Sequence, residues 1–164
     1  MDAAVSAAPE KLKQVTPLKR DCGRVCGARC CRPLEGEVTG MLLFPGEAEA
    51  YVGKDGWEIR KTVKGDLLLC SGACDREERP LSCRLFPLLP LIGDGGEIRV
   101  VTDLRARAVC PLARQGKSAM DPAFIDAVRE AGEILAARDE QAVFLDMLAE
   151  EQEELKELGK RFGI

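Results

Sequence analysis

The chain has 164 residues, 46% of them apolar and 32% charged, with a formal charge of −4, eight cysteines and no histidine. That length suits one domain with its own core, and the charge offers no general attraction to nucleic acid or anionic lipid. Without histidine there is no Ser-His or Cys-His catalytic pair and no histidine-bound hydrolytic zinc.

Taken in order, Met1 to Arg20 reads as a weakly structured lead with one short helical turn near Pro9 to Lys13. Its opening, MDAAVSAAPEKLKQ, has neither the basic nor the apolar region of a secretory signal. Asp21 to Arg32, DCGRVCGARCCR, then places Cys22, Cys26, Cys30 and Cys31 close together. Gly23 and Gly27 interleave with them and weaken any regular helix, so this stretch predicts a knuckle or short helical turns. Val38 to Phe44 is predicted to be extended. Pro45 followed by Gly46 to Val52 predicts a short helix stopped at Gly53.

Trp57 to Val63 alternates in character and reads as a strand, with Asp66 to Cys70 as its partner and a turn near Gly65-Asp66. Ser71-Gly72-Ala73 is a loop that delivers Cys74, and Asp75 to Glu78 starts a short helix or turn. Leu85 to Ile92, LFPLLPLI, is the longest apolar run; it is too short to span a bilayer and is broken by prolines. Gly93 to Gly96 is a turn before a second strand pair, with Glu97 to Thr102 as the β-branched member. These features predict a cytoplasmic protein with no membrane partner.

From Asp121 the character turns helical. Asp121 is a good N-cap and Pro122 a good first helical residue, and Phe124, Val128, Ala131 and Leu135 recur at helical spacing. A second stripe runs through Val143, Phe144, Met147, Leu148, Leu155 and Leu158, opposite many glutamates. No Gly or Pro separates the two patterns, so one long helix and two shorter ones both fit. Such a stripe is core first, while an acidic helix also offers a partner or dimer surface. The fold class predicted is α+β: one domain over 1–164, with a cysteine-bearing core at 21–116, short strands, and C-terminal helices at 121–164.

The cysteines carry the chemistry. Thiolates brought together either oxidise or hold a soft metal, and in a reducing cytosol clustered cysteines are more often metal-binding or catalytic than disulfide-bonded. A tetrahedral zinc site here has to draw its donors from cysteines or carboxylates, and a 4Fe–4S cluster needs four thiolates. Cys22, Cys26, Cys30, Cys31, Cys70, Cys74, Cys83 and Cys110 form the candidate ligand pool, enough for two centres. Neighbouring side chains usually diverge, so Cys30 and Cys31 suit two different ions, or one binds while the other packs. Cys22–Cys26 and Cys70–Cys74 are pairs able to converge on one ion, and Cys83 and Cys110 complete sites from across the fold.

Other signals are weaker. Basic residues gather at Lys11, Lys13, Lys19, Arg20, Arg24, Arg29 and Arg32 without interleaved aromatics, which reads as a solvated face that also offsets thiolate charge. Gly116-Lys117-Ser118 imitates the end of a P-loop, but Pro111 stands where the first glycine belongs. Arg79 and Arg84 either offset the charge of a thiolate centre or form ion pairs elsewhere.

The order CGRVCGARCC, then Cys70-x-x-x-Cys74, then RPLSCRLFP at Arg79 to Pro87, then CPLARQG from Cys110, resembles the bacterial cysteine-cluster family of zinc- or iron-chelating domains often called YkgJ-type. Both gaps of the first run are one residue wider than that family's pattern, and Leu112 follows Cys110-Pro111 where the family often has glycine. The resemblance covers about Cys22 to Gly116 and implies metal binding through cysteines, as an iron–sulfur protein or a zinc protein. A distant relative, the flagellin lysine methylase, has no counterpart here outside the cysteines. The leading expectation is an iron–sulfur protein, 4Fe–4S in type, with a redox, electron-transfer or sensing role and a protein partner. The second is a structural zinc module that binds partners, or a second copy of itself, through its C-terminal helices.

Overall fold

Small side chains build the first element of the structure, a computed structural model that describes residues 3–32, 40–70, 72 and 74–163. Ala3–Lys11 forms helix α1, which buries Ala4, Val5 and Ala8 against the rest of the chain. The expected lead with one turn is thus a nine-residue helix. Alanine has the best helix propensity, and Pro9 near its end removes only one late backbone bond.

A five-residue helix α2 (Cys22–Cys26) and a 3₁₀ turn at Arg29–Cys31 replace any long helix in the first cysteine run. Strand β1 (Gly40–Leu42) follows; Val38 and Thr39, also expected to be extended, lie outside the described residues. The expected helix after Pro45 is only a 3₁₀ turn at Ala48–Ala50, because the chain there is pinned by the buried carboxylate of Glu47. Strands β2 (Trp57–Thr62) and β3 (Gly65–Cys70) pair antiparallel, with Trp57 opposite Cys70, and β1 pairs with the other edge of β3. Tyr51, Leu43 and Leu68 form a small core on this sheet, with Trp57 and Ile59 packed on it.

A short helix α3 (Leu81–Leu85) leads into strand β4 (Leu88–Ile92), which pairs antiparallel with β5 (Ile98–Thr102). The second strand pair therefore takes its other member from the apolar run. Helix α4 (Pro111–Gln115) begins directly after Cys110.

The C-terminal pattern resolves into two helices, α5 (Pro122–Ala136) and α6 (Asp139–Phe162). Asp121 caps α5 as its sequence predicts, accepting the Ala123 amide at 3.0 Å. Phe124, Val128, Ala131 and Leu135 are fully buried and form, with α1, α3 and the β4–β5 hairpin, the main core. A Cβ at Gly132 would lie 2.5 Å from Pro90 Cβ and 2.8 Å from Ile98 Cγ2, so this close approach of α5 to the hairpin needs glycine.

Polar side chains seat α6. Gln141 Nε2 donates to the Pro45 carbonyl at 3.0 Å. Gln152 accepts the Leu104 amide at 2.8 Å and donates to buried Asp103 at 3.1 Å. Arg105 joins Asp103 to Glu151, which also pairs with Lys64. Phe144 and Leu148 of the second stripe are buried, whereas Val143 and Leu158 face outward. Among the described residues no helix is long and apolar enough to cross a membrane.

Candidate metal centre

Each cysteine is held by backbone geometry more than by burial. Asp21 Oδ1 accepts the Gly23 amide at 3.0 Å and starts α2 under Cys22. Gly27 and Ala28 then both adopt left-handed conformations, at φ 66° and 53°, and turn the chain between Cys26 and Cys30. For alanine that conformation costs about 1–2 kcal/mol. Cys70 ends β3, Cys83 lies in α3, and Cys110 sits at the N-cap of α4 with Pro111 at its first position.

Arginines fasten these loops by donating to carbonyl oxygens. Arg76 reaches back to the carbonyls of Leu12 and Val15. Arg84 donates to the carbonyls of Arg79 at 2.9 Å and Glu77 at 2.5 Å, and Arg114 to that of Arg107 at 2.7 Å. Glu47 closes the other side. It is 5% exposed and accepts the amides of Phe44 at 3.1 Å and Leu81 at 2.6 Å. Pro80 offers no side-chain cap to α3, so Glu47 caps that helix from a distant loop and fixes where Cys83 stands. Burial pushes the Glu47 carboxyl above its ordinary range, against the pull of those two amides.

All eight cysteines are free thiols, and together they line two adjoining cavities. The larger, about 390 Å³, is walled by Cys22, Cys26, Cys30, Cys83 and Cys110, with Arg29, Arg76, Arg79 and Arg84. The smaller, about 80 Å³, is walled by Cys30, Cys31, Cys70, Cys74 and Cys83, with Trp57, Leu68 and Arg79. Arg79 stands on both walls. Its guanidinium lies against Cys74, while its buried Nε has no protein partner.

The thiols affect one another within the same two groupings. Burial pushes Cys22 up, and Cys26, Asp21 and Cys110 add to the shift. Burial also raises Cys83, reinforced by Cys31, Cys74 and Cys70. Cys74 is raised by burial and by Cys31 and Cys70, against the contact of Arg79. The Cys30 and Cys31 sulfurs lie 3.9 Å apart. A hydrogen bond from Cys30 brings the Cys31 thiol down to about 6, with Arg79 assisting and burial opposing, while Cys30 keeps the shared proton. Burial lowers the Arg79 guanidinium, but contact with Cys74 and the charges of Cys31 and Cys83 carry it above its ordinary value.

The sulfurs share cavity walls without closing on a point. Among the described residues no group of three or more Cys, Asp or Glu side chains is close enough to hold an ion as it stands. The donor chemistry fits a soft metal, eight thiols and no histidine; the separation is wider than bonding distance. No family model, curated protein or solved structure matches the chain.

Several residues at the site lacked a signal in the sequence. Glu47 falls only within an expected short helix, and Arg76 only within an expected short helix or turn. Trp57 was legible as a strand residue but not as a cavity wall. Other expectations find ordinary places. Lys117 of the P-loop lookalike donates to the Val100 carbonyl at 2.9 Å. Lys11 pairs with Glu130 and Lys13 with Glu10, both at 2.8 Å, as on a solvated face.

Proposed function

We propose that this chain is a metal-binding cysteine-cluster protein, carrying an iron–sulfur cluster in a redox, electron-transfer or sensing role. One observation carries the reading: thiols as distant in sequence as Cys22 and Cys110 line common cavities beside a buried guanidinium nitrogen without a partner. Free thiols at such proximity, in a chain with no histidine, are the donor set that soft metals select. The resemblance of CGRVCGARCC and RPLSCRLFP to the YkgJ-type family supports the same conclusion.

Cys22, Cys26, Cys30, Cys31, Cys70, Cys74, Cys83 and Cys110 would hold the metal, and the bound cluster would supply one-electron chemistry. The chain's own part is electrostatic and steric. Arg79 and its neighbours Arg29, Arg76 and Arg84 place positive charge where reduction would add negative charge. Glu47 and Arg84 hold α3 and the preceding turn, and so the position of Cys83. A structural zinc role is the second reading, favoured by the small, largely apolar-walled cavity around Cys31, Cys70 and Cys74. The reading places the protein in a reducing cytoplasm, where thiolates persist. It gives the exposed end of α6 to a protein partner or a second copy.

The test is the visible spectrum of protein purified without oxygen or added metal. Brown absorbance that dithionite bleaches is expected. A colourless, folded, zinc-only protein contradicts the redox reading and leaves the structural one.

A further inference from the structure

The two cavities are unlike in size and in charge. Cys22, Cys26 and Cys110 line only the larger, Cys31, Cys70 and Cys74 only the smaller, while Cys30 and Cys83 stand on both. Resting on the reading that these cysteines bind metal, we propose that the chain carries two centres of different kind. A single zinc ion is held in the smaller cavity by Cys31, Cys70, Cys74 and Cys83. An iron–sulfur cluster is held in the larger by Cys22, Cys26, Cys30 and Cys110.

Room is the first argument. Four-coordinate zinc needs only bonds of about 2.3 Å to each sulfur, so a cavity of about 80 Å³ serves it. A cluster brings its own iron and sulfide atoms, and the cavity of about 390 Å³ is the one with space for them. Charge is the second argument. Zinc does not change oxidation state, so its surroundings never have to absorb an added electron. A cluster does change, and its potential follows net charge, hydrogen bonds and exposure. Arg29, Arg76, Arg79 and Arg84 line the larger cavity, and of these only Arg79 lines the smaller.

Connectivity supplies the third argument. Cys30 and Cys31 are adjacent in the chain, and of the two only Cys30 also lines the larger cavity. One residue of the pair on each centre lets a single turn tie both together. Cys83 goes to the smaller site because Pro80, the N-cap of its helix, lines that cavity and not the other. Trp57, the one tryptophan of the chain, also lines only the smaller cavity and reports on it.

The experiment counts zinc, iron and acid-labile sulfide in anaerobically purified protein, for the unaltered chain, a Cys22→Ser/Cys110→Ser variant and a Cys70→Ser/Cys74→Ser variant. About one zinc and about four irons with sulfide per chain are expected. The first variant should lose iron, sulfide and colour but keep zinc; the second should lose zinc and keep the colour. A zinc chelator added to the unaltered protein should change Trp57 emission and leave the visible absorbance, an arm that holds even where a variant does not fold. One kind of metal in the unaltered chain, or both lost together from either folded variant, overturns the two-centre assignment while metal binding stands. Iron kept by the first variant and lost from the second reverses the sorting and overturns it too. No bound metal at all overturns both the assignment and the reading beneath it.

Discussion

Around Phe124 the chain is closed by apolar contact, whereas around Arg79 it is closed by guanidinium groups reaching backbone carbonyls. The first region joins α1, α3, α5, α6 and the β4–β5 hairpin through fully buried leucines, alanines and Phe124. In the second, α2, the turn at Arg29–Cys31 and the turn at Arg76–Glu78 bury no residue at all. Burial stabilises by about 25 cal/mol per Å² of apolar surface, so the cysteine region gains little from it. Its geometry depends on Arg76, Arg84, Arg114 and Glu47, and its thiols remain available to a ligand. The contrast teaches that the fold has an apolar scaffold and a cysteine region held mainly by polar contacts, which on the proposed reading metal would complete.

The sharpest break of the scaffold is Phe124→Ala. Removing a fully buried ring at the centre of the main core should cost about 3–5 kcal/mol, read as a lowered urea midpoint with or without metal. Glu47→Ala probes the join between the regions. It strands the amides of Phe44 and Leu81 and should cost about 2–3 kcal/mol. Metal analysis should also show weaker retention, since Cys83 loses the cap of its helix. Retention unchanged in a folded variant would separate Glu47 from the centre.

Arg79→Ala leaves the scaffold alone and removes the cation between the cavities. The iron–sulfur potential should fall by an amount on the order of tens of millivolts, because a more negative reduced centre loses a nearby positive charge. Redox titration checks the sign. The smallest effect lies in the metal-free protein. The Cys31 thiolate should be present above about pH 6 and lost below it, so alkylation of Cys31 should begin at lower pH than that of the raised thiols. Cys30→Ala removes the donated hydrogen bond and should move that onset to higher pH, followed by mass spectrometry of the labelled peptide.

The scaffold's periodic parts were the most legible in sequence. Asp121-Pro122 and the stripe through Leu135 marked α5, and the alternation after Trp57 marked β2 and β3, because those elements are stabilised by the pattern that announces them. Helix α1 was not legible: Ala4, Val5 and Ala8 give a faint stripe, and their burial depends on α5, far along the chain. Gln141 and Gln152 hid in the same way, as polar residues in a helix whose partners, Pro45, Leu104 and Asp103, are distant. The break between α5 and α6 at Ala137–Arg138 carries no Gly or Pro to mark it. For the site, the sequence supplied the eight cysteines that line the two cavities, whereas Cys30 and Cys31, expected to diverge, hold their sulfurs 3.9 Å apart. It gave no view of which cavity each thiol lines, or of Arg79 standing between them, since those are properties of the assembled loops.

Backbone hydrogen exchange, before and after a chelator strips the protein, tests the contrast most directly. The account predicts that amides in Cys22–Cys31 and Arg76–Glu78 lose protection on stripping, while those of Phe124–Leu135 keep theirs. Protection unchanged in the cysteine segments, or lost throughout the chain at once, would contradict it.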